Sequence, residues 1–450
     1  MAQNTKKSLR SQIIYSVYVR NYSGEGTFGA VERDLERIRD LGTDIIWLMP
    51  VHPIGKVARK GSLGSPYAIT DYRKINPELG TLEEFRFLVD RIHELGMKCI
   101  MDVVYNHTSP DSWLAERHPE YFYRTPEGNM GNRVGDWSDI VDLDYGNREL
   151  WEYQIETLKY WAELVDGFRC DVAPLVPLDF WKKAREEIAK VNPDCIWLAE
   201  SSDPPFVREL RKQGVSVLTD SECYQAFDIC YDYDVYPAFR AYLKGEIPLS
   251  AYAAQLNMQE IVYPDNYVKM RFLENHDQDR AKAVIPEERA LRNWTAFLYF
   301  ERGAALIYAG QEAEDPHRPS LFEKDTVSWE TGHDLTGLLK KLAAVKKMPI
   351  LAEGSYSLKA DDSRDILTGT YELGEERLVG VFGLKAGTKA GQAAETEAEA
   401  VEVKTGLPDG IYYNYADETQ VEVRDGRVLW QGEPVIIGSS CSRSSRQPAV

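Results

Sequence analysis

The side chains in this chain best placed to do chemistry are a set of carboxylates with an arginine among them. In "GFRCDVA" (167–173), Arg169 and Asp171 stand two apart. A strand turns both to one face while Phe168, Cys170 and Val172 take the other. An isolated pair of this kind reads as a structural ion pair, in which the acid offsets the desolvation of the arginine. Other short apolar runs end in the same way: "MDVVYNH" brings Asp102, Asn106 and His107, "WLAE" brings Glu200, and "FLENHD" brings His276 and Asp277. Each alone would be a cap or a satisfied polar group, but agreement among several strand ends points to one site. Convergent acids, without a thiol pair, a serine elbow or a phosphate loop, suit cleavage of a glycosidic bond. One carboxylate attacks the anomeric carbon, another protonates the leaving oxygen, and a pair about 5 Å apart retains configuration. Asp171 is the candidate nucleophile, because Arg169 beside it favours the ionised form. Glu200, behind the apolar "IWLA", is the candidate general acid, its pKa raised by burial.

Such a site needs a scaffold that gathers strand ends. "GAVERDLERIRDLG" carries Val31, Leu35, Ile38 and Leu41 at helical spacing, stops at Gly42 and runs into the apolar "DIIWLMPV". "TLEEFRFLVDRIHELG" repeats the phrase, with Thr81 and Glu84 as a capping box and Gly96 as the stop before "KCIMDVVYN". With "QIIYSVYV", "VDGFRCDV", "CIWLAE", "VSVLTD", "VKMRFLE" and "AALIYAG", the candidate strands number eight. Eight short apolar strands alternating with helices predict a closed (β/α)8 TIM barrel, an α/β fold whose sites lie at the C-terminal strand ends. The barrel takes 1–107 and 147–348, with a short insertion, 108–146, after the third strand. From about 349 to 440 the pattern changes to strand-like pieces broken by Gly, Asp and Pro, which predicts a C-terminal antiparallel β-domain, a β-sandwich. The low-complexity "KAGTKAGQAAETEAEA" and the tail 441–450 are assigned no function.

The 450 residues, 43% hydrophobic with ten Trp and 26 Tyr, are enough for a large core. The net charge of -19 disfavours nucleic acid and anionic membrane as partners and fits a neutral substrate. Six cysteines without a C-x-x-C pair argue against a zinc site or a disulfide framework and for a reducing compartment. The N-terminus has only a short apolar run, and no window of about 20 apolar residues occurs anywhere, so a cytoplasmic protein is expected.

The motifs "DVVYNH", "GFRCDVA", "WLAES" and "FLENHD", in this order, resemble those of the α-amylase family of glycoside hydrolases over residues 13–312. The resemblance implies Asp171 as nucleophile, Glu200 as acid/base and Asp277 as a third acid that hydrogen-bonds sugar hydroxyls. It implies that Arg169, His107 and His276 bind the same sugar and that Tyr67, in "SPYAITDY", stacks on it, with Asp71 supporting that loop. "VDLDYGN" resembles the amylase version of a further family segment, and Asp144 tilts the expectation toward α-1,4 bonds. "PLV" (Pro174, Leu175, Val176) replaces a Lys-His pair that many relatives carry after the nucleophile. No cofactor is required for the chemistry. A structural calcium would use Asn106, Asp142 and a carbonyl near Leu175, oxygen ligands suited to that ion, while Asn106 reads equally as a hydrogen-bonding loop brace. Of the aromatic residues crowding the insertion, Trp113, Tyr121, Phe122, Tyr123 and Trp137, at most two are expected to touch substrate. The expectation is a monomeric hydrolase of maltodextrin, starch or glycogen. The alternatives are a transglycosylase or sugar isomerase on the same scaffold and, from another class, a non-catalytic carbohydrate-binding relative.

Overall fold

The structure, a computed structural model, describes residues 4–134, 137–385 and 400–439. The tail 441–450 and nearly all of the low-complexity stretch lie outside the described residues. Eight parallel strands close into a barrel: β1 (Ile13–Val17), β2 (Ile45–Leu48), β3 (Lys98–Val103), β4 (Gly167–Cys170), β5 (Ile196–Ala199), β6 (Ile229–Tyr231), β7 (Val268–Arg271) and β8 (Ala304–Tyr308). Their order around the barrel follows the chain, and β8 closes on β1 with Ile13 opposite Ala305. Every strand residue but Lys98 is buried, because helices cover the outer face and side chains fill the interior.

Local signals set several boundaries. The helix Leu82–Glu94 starts at the expected capping box: the Glu84 N–H donates to Thr81 Oγ1 at 3.2 Å, and the Thr81 N–H donates to Glu84 Oε2 at 2.7 Å. It turns into β3 through Gly96, whose φ of +77° favours glycine. The first helix departs from the sequence expectation, being broken into Phe28–Glu32 and Leu35–Asp40. The break falls at Asp34, whose carboxylate is drawn aside to accept from Tyr22 Oη and from Arg37 Nε at 2.9 Å.

The sixth strand is a second correction. "VSVLTD" is not a barrel strand; Val217 is spent in a satellite cluster with Val134, Val207 and Leu210. The strand is β6, three residues inside "FDICYDY" flanked by acids, too short to stand out as an apolar run.

Between His107–Thr108 and Val141–Asp142 a two-residue antiparallel ladder closes the insertion after β3. Beyond the barrel, strands Ser355–Asp361, Ile366–Leu373, Glu376–Gly383 and Val435–Ser439 form one antiparallel sheet, and four strands between Val401 and Trp430 form another. The two sheets share a core of Val379, Val381, Val423, Val428 and Ile437. The first sheet also seats on the barrel, where Phe300 packs against Tyr371 at 5.2 Å and Phe382 at 5.3 Å between ring centroids. The approach is close enough that a Cβ on Gly369 would lie 2.5 Å from Phe300 Cε1. Among the described residues no helix is long and apolar enough to cross a membrane. Five free cysteines are described and all are buried.

Phe382 is fully buried between barrel and sheet. Phe382→Ala is therefore expected to cost about 3–5 kcal/mol in guanidinium unfolding, from lost transfer energy and the residual cavity. Leu429→Ala, at a position 57% exposed, should stay within about 0.5 kcal/mol of the parent.

Candidate active site

The C-terminal ends of β3, β4 and β5 meet on one guanidinium. Arg169 has no exposed surface. Its Nη1 donates to Asp102 Oδ1 at 2.9 Å and to Asp171 Oδ1 at 2.9 Å, and its Nη2 lies 2.9 Å from Glu200 Oε2. Its Nε donates to the Tyr231 hydroxyl at 3.1 Å. Aromatic rings line the plane, with Trp47 at 5.2 Å, Tyr231 at 5.3 Å and Tyr67 at 5.7 Å from the guanidinium carbon. A guanidinium suits this place because it is always charged and offers its donors in a fixed fork.

Three carboxylates share one cation, so Arg169 draws Asp171 toward its ionised form against burial rather than unopposed. Burial pushes Asp171 up to about 6, against the pull of Arg169, and Asp102 likewise to about 6. Burial pushes Glu200 further, to about 7, with Arg169 again opposing. Asp277 moves the other way: burial opposes it, but the His276 ring, 3.1 Å from its Oδ2, brings it down to about 2. The site thus separates one carboxyl near neutrality from another that stays ionised, and the protons of Asp102, Asp171 and Glu200 belong to the cluster as a whole. Glu200 is fixed further by the Val172 N–H, which donates to its Oε2 at 2.8 Å. Val172 itself adopts φ +36°, a left-handed conformation that a β-branched residue rarely holds and that costs about 1–3 kcal/mol.

The remaining sequence candidates surround this group. Asn106 Nδ2 donates to His107 Nδ1 at 3.2 Å, which leaves the His107 proton on Nε2, 3.9 Å from Asp171 Oδ2. Burial lowers the His107 pKa to about 4, so the ring is a neutral donor facing Asp171. Tyr67 stacks on His276 at 17° between planes, with its hydroxyl 2.7 Å from His276 Nε2 and donating to Asp102 Oδ2 at 3.2 Å. Asp71 accepts from the Arg73 N–H at 2.9 Å, bracing its own turn. Of the inserted aromatics, Trp137 approaches the group through His107, at 5.9 Å between centroids. Tyr121 and Phe122 are buried in the insertion, and Trp113 stacks on Tyr153.

Two residues of this site, Tyr231 and Tyr233, were missed in the sequence, and a third, Asp102, was named there without a role. Asp102 was visible as a strand end, but its direct bonds to Arg169 were not. Tyr231 and Tyr233 stand at and just past the end of β6, in "YDYD", the strand the sequence misplaced. The Tyr233 hydroxyl accepts from Asn275 Nδ2 at 3.1 Å and Gln278 Nε2 at 3.5 Å, and the charges of Asp277 and Glu200 both bear on it.

The calcium candidates have other partners. Asp142 Oδ2 accepts from the Arg133 N–H at 2.7 Å, and its Oδ1 accepts from Asn106 Nδ2 at 3.5 Å. Asn106 turns its amide Nδ2 toward Asp142, the arrangement of the loop brace. Chelation by EDTA is therefore expected to leave the melting temperature unchanged. A drop of several degrees, reversed by added calcium, would contradict the brace.

Comparison with known proteins agrees with this geometry. The family model described as alpha amylase, catalytic domain, matches residues 11–131 and 133–347, and the bacterial alpha amylase C-terminal domain matches 357–437. A solved α-amylase from Lactobacillus plantarum is 49% identical, with TM-score 0.91, over 97% of this chain and 100% of that one. A noncanonic maltogenic α-amylase from Thermotoga neapolitana is 35% identical, with TM-score 0.83, over 97% and 100%. Among curated relatives, an α-1,4-glucan:maltose-1-phosphate maltosyltransferase of Rhodospirillum rubrum is 38% identical over 42% of this chain, and α-amylase MalA of Haloarcula japonica is 26% identical over 74%. These matches span only 30% and 48% of the two relatives' own lengths. With a closed barrel, a C-terminal β-domain and both family models matched along it, the chain belongs to the α-amylase family.

Proposed function

We propose that the protein is a retaining α-glucan hydrolase that cleaves α-1,4-glucosidic bonds of maltodextrin, starch or glycogen through a covalent glucosyl-enzyme intermediate. The observation that carries the reading is the bridge made by Arg169, whose two Nη atoms each lie 2.9 Å from an oxygen of Asp171 and of Glu200. Two carboxyls bridged by one guanidinium are near neighbours, which supports the short spacing of retaining enzymes over the wider gap that admits a water between them.

In this reading Asp171 attacks the anomeric carbon while Glu200 gives its proton to the departing glycosidic oxygen. The C–O bond breaks, the leaving sugar departs neutral, and Glu200 is left ionised. Glu200 then takes a proton from water, the resulting hydroxide displaces Asp171, and both residues return to their starting state. Asp277, kept ionised, accepts hydrogen bonds from hydroxyls of the attacked sugar, beside His276, His107 and the ring of Tyr67. The raised pKa of Glu200 suits its first role, and its ionised form after the first step suits the second. Asp144, which accepts a long contact of 3.5 Å from Arg133, supports the α-1,4 preference by family resemblance alone.

One observation favours a second reading, transfer to a sugar acceptor: several relatives are named as maltosyltransferases. The test is product analysis by chromatography after incubation with maltoheptaose. Shorter maltooligosaccharides alone support hydrolysis, and products longer than the substrate support transfer.

Asp171→Asn and Glu200→Gln are each expected to lower kcat by at least about 10²–10⁴-fold with the fold intact by circular dichroism. Because Asp171 must be ionised and Glu200 protonated, wild-type activity should fall below about pH 6 and above about pH 7. Glu200→Gln should remove the basic limb. Near wild-type rates from either variant would contradict the roles.

A further inference from the structure

The outer wall behind β6 and β7 carries a buried ionic group. Lys269, in the middle of β7, is fully buried. Tyr231 pairs with Met270 across the β6–β7 ladder, and the Tyr231 ring lies inside the barrel over Arg169, so Lys269 points the opposite way, outward. Its ammonium finds an acceptor for each proton: the Tyr231 carbonyl at 3.1 Å, Asp234 Oδ1 at 2.7 Å and Asp220 Oδ2. Asp234 is held in turn by Gln259 Nε2 at 2.9 Å and the Tyr263 hydroxyl at 2.7 Å, and the Tyr263 ring lies 4.7 Å from the ammonium.

Such a group is an expensive way to fill a wall, since apolar residues of the same volume are often as stable or more so. Its contacts indicate what it does. The Tyr231 carbonyl, which Lys269 grips from outside, also accepts from Ser201 Oγ at 3.1 Å, and Ser201 directly follows Glu200. The Tyr231 hydroxyl, on the inner side, accepts from Arg169 Nε at 3.1 Å. Tyr231 is thereby held at its backbone from one face of the wall and meets the site cation at the other, while Ser201 ties the residue after Glu200 to the same point.

We propose that Lys269, with Asp220 and Asp234, is a positioning residue: it pins the end of β6 so that Tyr231 sets Arg169, and Ser201 sets Glu200, at their working separation. The inference rests on the reading of Glu200 as acid/base. It gives the ionic wall a catalytic purpose although Lys269 points out of the barrel, away from Arg169.

The test compares wild type, Lys269→Met and Ser201→Ala on maltoheptaose, with full pH profiles of kcat and separate KM values. Asp220 and Asp234, which Lys269→Met would orphan, line a surface cavity of about 600 Å3, and Asp234 keeps hydrogen bonds from Gln259 and Tyr263, which favours a folded variant. The expected result for Lys269→Met is a kcat at least about tenfold lower, as misplacement within a site produces, with a cooperative melt. Its KM should stay within about twofold and its basic limb should move upward, as Arg169 loosens from Glu200. Ser201→Ala, which orphans no charge, should move kcat and the limb in the same direction by less. Wild-type kcat and pH limbs in a folded Lys269→Met, or in Ser201→Ala if the first does not fold, would overturn the inference. A wild type inactive on α-glucans would instead overturn the functional reading on which it rests.

Discussion

A buried guanidinium must be compensated or the barrel that encloses it loses stability, and Arg169 is compensated by charge, with Asp102, Asp171 and Glu200 each bringing an oxygen within 2.9 Å. Removing one partner of a buried pair costs about 3–5 kcal/mol, because the other charge is left without compensation. Asp102 from β3, Asp171 after β4 and Glu200 after β5 reach the cation because parallel register brings those strand ends level: Asp102 lies opposite Arg169, and Arg169 opposite Leu198. The cation in turn fixes the carboxyls relative to one another. One ion therefore serves both folding and chemistry, while burial, with the neighbouring acids adding to it, raises Glu200 and Asp171 together against the ion's pull.

The strain and the aromatic packing follow from the same requirement. Val172, whose N–H holds Glu200, sits in a left-handed backbone. Trp47, Tyr67 and Tyr231 surround the guanidinium with rings that exclude water and so strengthen each charged contact. The lowered pKa of His107 fits this picture, since a second cation there would compete with Arg169 for Asp171.

Much of this was legible in the sequence because the strands feeding the site are continuous apolar runs that stop abruptly at polar residues. Asp171, Glu200, His107 and Asp277 could be named from that alone, and the capping box at Thr81 and the turn at Gly96 are written locally. β6 was not legible, because three buried residues between acids carry no periodic signal, and "VSVLTD" mimics a strand better than "ICY" does. With β6 went Tyr231, Tyr233 and the ionic wall. Lys269 looks like a polar interruption in "VKMRF", and only the fold reveals two aspartates waiting for it. The shared use of Arg169 was hidden for a similar reason: spacing identifies Asp171 as its neighbour, but the strands of Asp102 and Glu200 become neighbours only when the barrel closes.

The covalent bond to Asp171 is the point on which the account turns, and it can be observed directly. Glu200→Gln incubated with α-maltosyl fluoride, whose leaving group needs no proton, should accumulate an intermediate that it cannot hydrolyse. Mass spectrometry of the rapidly quenched, digested protein is expected to find a maltosyl group on the peptide carrying Asp171. Rapid release of fluoride with no adduct, or an adduct on any other residue, would contradict the account.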